Sequence, residues 1–219
     1  MAPGARTPMQ RARGHGRITS QLRAGTTAVA TLYQDGCAKI RLPHTHTQAL
    51  EAVLINTAGG LTGGDRMQWE VSAAAGGTMV LTTQACERIY RSLGGPATVH
   101  TRIEVGAHAH LDWLPQETIL FAASQLDRRI DIDLAEGASL TAIEAILLGR
   151  EAMGEVALDA RLRDNWRIRR KGRLIHAEAT RLDGTTAERD GLSLLAGKRA
   201  FATVLHIAPD AQACAIRLH

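Results

Sequence analysis

The nine residues ATVHTRIEV, Ala97–Val105, set how the rest of the chain is read. Ala97, Val99, Ile103 and Val105 fall on one side of an extended backbone; Thr98, His100, Arg102 and Glu104 fall on the other. A period of two marks a strand covered on one face and wet on the other. RIDIDL, Arg129–Leu134, repeats the pattern, with Ile130, Ile132 and Leu134 opposing Arg129, Asp131 and Asp133. Turn signals punctuate such runs at Asp35-Gly36, Gly76-Gly77, Gly94-Gly95-Pro96, Glu136-Gly137, Lys171-Gly172 and Asp183-Gly184. Helical candidates are few: QACERIYRS, Gln84–Ser92, and a weaker stretch near Thr186–Ala196. The chain reads as mainly β.

A faint internal repeat extends this reading. Gly77-Thr-Met-Val-Leu, Gly106-Ala-His-Ala-His-Leu and Gly137-Ala-Ser-Leu each open a strand directly after a turn, at intervals of 29 and 31 residues. Stacked β-layers, each burying its apolar side against the next, produce a period of that order.

The 219 residues suffice for a real core, and 45% apolar with 22% charged residues is ordinary for a soluble globular chain. Aromatics are only 3%, so Ala, Leu, Ile and Val must build that core. The net charge of +4 is carried almost wholly by arginine, since Lys39, Lys171 and Lys198 are the only lysines. Basic charge suits nucleic acid, but no aromatic stacking platform or DNA-binding motif accompanies it. An acidic protein partner suits the charge equally well. Cys37, Cys86 and Cys214 are odd in number and far apart, which argues for a reducing compartment rather than a disulfide framework. No apolar run approaches the ~18 residues of a membrane helix. Residues 1–24 read as a flexible basic tail, and residues 25–219 as a single β domain.

The glycine-rich loop NTAGGLTGGDR, Asn56–Arg66, invites a nucleotide reading and fails it. A P-loop needs Lys after its last glycine and a helix beyond; here Arg66 is followed by the alternating MQWEVSA. The glycines are expected to supply positive φ and close backbone approach, with Asp65 bonding the turn locally.

Read together, INTAGGLTGGDR (Ile55–Arg66), LTTQACERIYRS (Leu81–Ser92), LDWLPQETILF (Leu111–Phe121) and LLGREAMGE (Leu147–Glu155) resemble the urease accessory protein D family, also called H. Order and gaps both match. The resemblance runs from about Tyr33 to about Leu182 and is looser from Asp183 onward. It implies a non-catalytic cytoplasmic scaffold that joins urease apoprotein to a helical accessory protein (UreF) and a GTPase accessory protein (UreG). It further implies a β-superhelix of stacked strands with a few short helices. Nickel would be delivered to urease by transient passage through an interior channel, with no tightly bound cofactor. Family members continue for some tens of residues beyond the last residue here, so their closing segment is expected to be absent or replaced.

Individual residues can be asked whether they suit that task. A conduit should hold nickel weakly, through scattered oxygen ligands rather than a closed cluster. Glu144 shares a strand face with Leu140, Ala142, Ile146 and Leu148, so it needs a cation, a proton or a cavity; the plainer alternative is a salt bridge to Arg150. Glu117 lies between apolar neighbours after Pro115 and either serves the same path or bonds local amides. Thr83, with Thr82 and Gln84, offers neutral oxygens, whereas Glu87 and Arg88 read as an exposed pair. His108, His110 and Asp112 alternate onto one strand face and are chemically fit for a transition metal. They support a rival reading as a self-contained metal-binding or storage protein. The same alternation makes theirs the solvated face, and of the three only Asp112 matches an acid that the resemblance carries. Finally, RDNWRIRRKGR (Arg163–Arg173) reads as two strands around Lys171-Gly172. It is either a solvated hairpin or a docking patch of Arg163, Arg169 and Arg170 anchored by Trp166. No Ser-His-Asp or Cys-His catalytic pattern stands out.

Overall fold

The computed structural model describes residues 10–157, 159–183, 190–191, 195–209 and 211–213. The chain enters through β1 (Arg13–Arg23), β2 (Thr26–Gly36) and β3 (Ala38–Arg41). It then winds in coils: β4 (Leu50–Asn56) to β5 (Arg66–Ala73), then β6 (Thr78–Thr83), β7 (Glu87–Ile89) and β8 (Ala97–Val105). Next come β9 (His110–Leu114), β10 (Thr118–Leu120) and β11 (Gln125–Leu134), then β12 (Ser139–Leu148) and β13 (Arg161–Arg170). β14 (Arg173–Leu182) and β15 (Ala200–Ile207) complete the described strands. Helix is confined, among the described residues, to a 3-10 turn at Glu151–Met153 and one turn at 211–213.

Two sheets result. One runs β14-β13-β11-β8-β5-β1-β2, parallel from β13 to β1 and closed at each edge by an antiparallel hairpin strand. The other stacks β4, β6, β9 and β12 in parallel, with β3 and β15 antiparallel at its margins. β7 and β10 continue the positions of β6 and β9 after short breaks, and β10 pairs with both β7 and the end of β12. Each coil therefore contributes one rung to each sheet, the β-superhelix expected from the resemblance.

The weak repeat is physical. The turns beginning near Gly76, Gly106 and Glu136 lie side by side: Gly76 N donates to Ala107 O at 2.9 Å, and His108 N to Glu136 O at 2.9 Å. The strands they feed, β6, β9 and β12, are neighbours, with Thr78 and Ser139 both in register with His110. Inner residues of both sheets, among them Ile103, Ile130, Leu111 and Leu140, share one apolar core. Burying such side chains at about 25 cal/mol per Å² drives the stacking.

Two expectations need correction. Arg13–Arg23 is a strand hydrogen-bonded on both sides, to β2 and to β5, because Ile18 at 0% exposure fills the core. The flexible tail thus fails for those residues. Gln84–Ser92 is not helical: Glu87, Arg88 and Ile89 pair with Thr118, Ile119 and Leu120, and tertiary pairing overrides a helix-like spacing. The weaker helical stretch and Gly184 lie largely outside the described residues, as does Cys214. The hairpin around Lys171-Gly172 forms as read, with Lys171 at φ 50° and Gly172 at φ 76°.

Candidate functional site

The four sequence blocks, distant in the chain, stack at one corner of the coil. Leu61 bridges Ile89, which pairs with Leu120, which pairs with Leu148. Leu61 N donates to Arg88 O at 2.8 Å and Tyr90 N to Leu61 O at 2.7 Å. Gly60 makes this possible, since it adopts φ 143° and a Cβ there would lie 2.4 Å from the Tyr90 ring and 2.7 Å from Arg88 O. Asp65 closes the loop as read from sequence: its Oδ2 accepts from Thr62 N at 2.8 Å and its Oδ1 from Ala12 N at 2.9 Å. On the far side, Arg150 clasps Glu155 at 2.7 Å and sits 4.5 Å above the Phe121 ring.

A cleft of ≈ 100 Å³ opens at this corner, lined by Asn56, Gly59, Gly60, Cys86 and Glu87. Glu87 turns inward, alternating with exposed Arg88, so the exposed pair expected from sequence does not form. Asn56 Nδ2 donates to both Glu87 oxygens, at 3.0 and 3.2 Å. Burial outweighs that bond and pushes the Glu87 carboxyl up to about 7. Thr83 and Glu117 sit at the strand breaks beside it. Thr83 Oγ1 accepts from Gln116 N at 2.9 Å and donates to Ala85 O at 3.0 Å, while Glu117 O accepts from Glu87 N at 2.9 Å.

The polar line continues inward. Thr118 is the register partner of Glu87 and shares its face; its Oγ1 accepts from Arg128 at 3.4 Å. Arg128, on β11, reaches across the core to Glu144 Oε2 at 2.5 Å and sideways to Asp164, its register partner on β13, at 2.5 and 3.1 Å. Trp113 Nε1 donates to the other Glu144 oxygen at 2.9 Å. Glu144 is therefore buried as read, and both its oxygens are engaged. The salt-bridge alternative is the one realised, with Arg128 rather than Arg150 as partner, because Arg150 is held outside by Glu155. Burial, reinforced by the Asp164 charge, raises the Glu144 carboxyl despite the cation. Burial alone would lower Arg128, but the Glu144 and Asp164 charges overcome it and raise the guanidinium. Two carboxylates face one cation, so the cluster is one positive charge short.

The histidine trio comes apart. His108 lies in the turn at φ 55°, over Gly137, rather than on the strand that starts at His110. His110 instead joins Asp112 (Nε2 to Oδ1, 3.0 Å) and Ser139 (Nδ1 to Oγ, 2.8 Å) across β9 and β12. Ser139 N is spent on Ala109 O at 2.9 Å, so the ladder leaves that amide no part in an oxyanion hole. Among the described residues no group of three or more His, Cys, Asp or Glu gathers as a metal site. Trp166, at 1% exposure, points into the core and cannot anchor a partner. Arg163 is exposed, Arg169 lies 3.7 Å from Asp131, and Arg170 donates to Ala138 O at 3.0 Å, so those three do not form one patch.

Glu87 yields a test of its surroundings. A carboxyl whose folded pKa exceeds its unfolded value stabilises the fold fully below the unfolded value and ceases to as pH rises through the folded one. For Glu87 the window runs from 4.5 to about 7. Relative to Glu87→Gln, the native chain should lose about 3 kcal/mol across that window and nothing further above it. Chemical denaturation at successive pH values measures the difference, and parallel curves would show that Glu87 is not buried as described.

Residues 12–219 match a family described as UreD urease accessory protein. The chain is 62% identical over 205 residues to the urease accessory protein UreD of Chelativorans sp. (strain BNC1), covering 94% of this chain and 74% of that protein. It is 55% identical over 214 residues to the protein of the same name from Rhizobium leguminosarum bv. trifolii (strain WSM2304), covering 97% and 78%. To that of Sinorhizobium medicae (strain WSM419) it is 49% identical over 219 residues, covering 100% and 79%.

Proposed function

The chain belongs to the UreD urease accessory protein family, and from that premise we propose that it acts in urease maturation as a non-catalytic, cytoplasmic scaffold for nickel insertion. It does so bound to urease apoprotein, the helical accessory protein UreF and the GTPase UreG. The observation that carries the reading is the polar line through an otherwise apolar interior, from the Asn56–Glu87 cleft past Thr118 to Glu144. Burial raises the Glu87 carboxyl to about 7, so near neutral pH it exchanges a proton readily for a divalent cation. Oxygen donors spaced along a path, Glu87 with Glu117 and Thr83 near the mouth, hold nickel loosely enough to release it. Glu144 takes part only when the cation displaces Arg128, which makes it a gate rather than a resting ligand. Asp112 is tied to His110 on the outer face and lies off this line.

The reading is tested by co-expressing the chain with urease apoprotein, UreF and UreG, then assaying the purified assembly for nickel. The chain should co-purify with the apoprotein, and urease should acquire nickel only when the chain is present. Nickel bound stoichiometrically to the chain purified alone would instead mark a storage protein. A chain that fails to co-purify would remove the scaffold.

A further inference from the structure

The two outer faces of the molecule differ. Facing away from the core, the seven-stranded sheet presents rows of charged residues in register across neighbouring strands. The row nearest the strand starts runs Arg13, Arg66, Thr98, Asp127 and Arg163 on β1, β5, β8, β11 and β13. Neighbouring strands lie about 4.8 Å apart, so this row is about 19 Å long. Arg161 extends it on β13, beside Gln125.

These arginines differ from those deeper in the sheet. Arg17 is bonded to Glu70 at 2.6 Å, and Arg129 to Asp131 at 2.5 Å, so the middle of the face is neutralised internally. The side chains of Arg13, Arg66, Arg161 and Arg163 are exposed and make no hydrogen bond, and no ion pair within 4 Å, among the described residues; Arg161 and Arg163 act on Asp183 only through their charge, behind Arg181. Arg13 and Arg66 stand side by side in register, and like charges so placed destabilise a sheet. Hollows of ≈ 400 and ≈ 200 Å³ adjoin at Asp127, the first reaching Arg13 and Arg66, the second Arg161 and Arg163. Asp35 also lines the first hollow, and Asp183, held by Arg181, the second.

We propose that this row is a docking surface for an acidic polypeptide segment of a protein partner, laid across the strand starts with its carboxylates on Arg13, Arg66, Arg161 and Arg163. The guanidinium fork donates paired hydrogen bonds to the two oxygens of a carboxylate, and the cations of this row are all arginines. Protein rather than nucleic acid fits because the cationic row is interrupted by Asp127 and flanked by Asp35, which phosphates at regular spacing would meet. Both tryptophans of this sheet, Trp69 and Trp166, also point inward, so no stacking platform faces out. The inference does not depend on the nickel path.

The test uses the purified chain and a short labelled peptide of glutamate and glycine, with duplex DNA of equal charge as the rival probe. At about 0.15 M ionic strength, Arg66→Glu with Arg163→Glu should weaken peptide binding about tenfold. Arg23→Glu with Arg41→Glu makes the same change in net charge off the row and should leave binding within about threefold of the native chain. Equal losses from the two pairs would show that only net charge matters and overturn the proposal. So would tighter binding of the DNA than of the peptide, or no binding of the peptide by the native chain. Thermal midpoints no lower than that of the native chain in both double variants establish that the fold is intact.

Discussion

Arg128→Met should destabilise the chain by about 3–5 kcal/mol, because it leaves two carboxylates buried without their cation. Glu144 and Asp164 are 5% and 6% exposed, so neither can turn to water without opening the core. The same account predicts strong non-additivity. Glu144→Gln alone can keep the Trp113 bond but loses the one from Arg128, which still has Asp164, so it should cost about 1–3 kcal/mol, less than Arg128→Met. Added to Arg128→Met, it relieves one stranded carboxylate, and the double variant should be more stable than the sum by at least about 1 kcal/mol. Denaturant midpoints of the four proteins measure the coupling. Additive losses would mean that Arg128 and Glu144 do not meet.

The second large effect is expected at Gly60. Gly60→Val places a β-branched residue at φ 143°, with its Cβ 2.4 Å from the edge of the Tyr90 ring and 2.7 Å from Arg88 O. The loop must swing away, the Leu61–Ile89 bridge breaks, and the cleft beside Glu87 loses one wall. A loss of about 2–4 kcal/mol combines strain with the lost pairing. Gly59→Ala separates packing from strain. Gly59 also has positive φ, 74°, but nothing lies within 4 Å of an added Cβ, so its cost should stay near 1 kcal/mol or a little more. Thermal unfolding of both variants decides the point; equal losses would show that close approach to Tyr90 is not what Gly60 provides.

Much of this architecture is legible in the sequence. Alternation in Ala97–Val105 and Arg129–Leu134 carries over directly, and the glycines that open three strands mark successive rungs. Extending the same period two residues back would have reached Arg128, since Leu126, Arg128, Ile130 and Ile132 share the inner face. Asp164 likewise falls between Leu162 and Trp166 on the inner face of β13. The partner of Glu144 is therefore within reach of the pattern, whereas proximity in sequence points to Arg150. Trp166 was readable in the same way and belongs to the core. Alternation misleads at His108, where it is carried through a turn that the backbone uses to change direction. Glu87 could not be placed from sequence, because a three-residue strand is defined only by the neighbours it pairs with. The convergence of the four blocks at one corner is likewise a product of coiling, invisible to any local rule.

The polar line is the centre of the functional account, and the nickel content of urease tests it most directly. Urease apoprotein co-expressed with UreF, UreG and the chain carrying Glu87→Gln and Glu144→Gln should co-purify as with the native chain. Its nickel content should nonetheless fall by about tenfold, since neutral amides replace both acidic side chains of the line. Native nickel content in that urease, with assembly intact, would contradict the account.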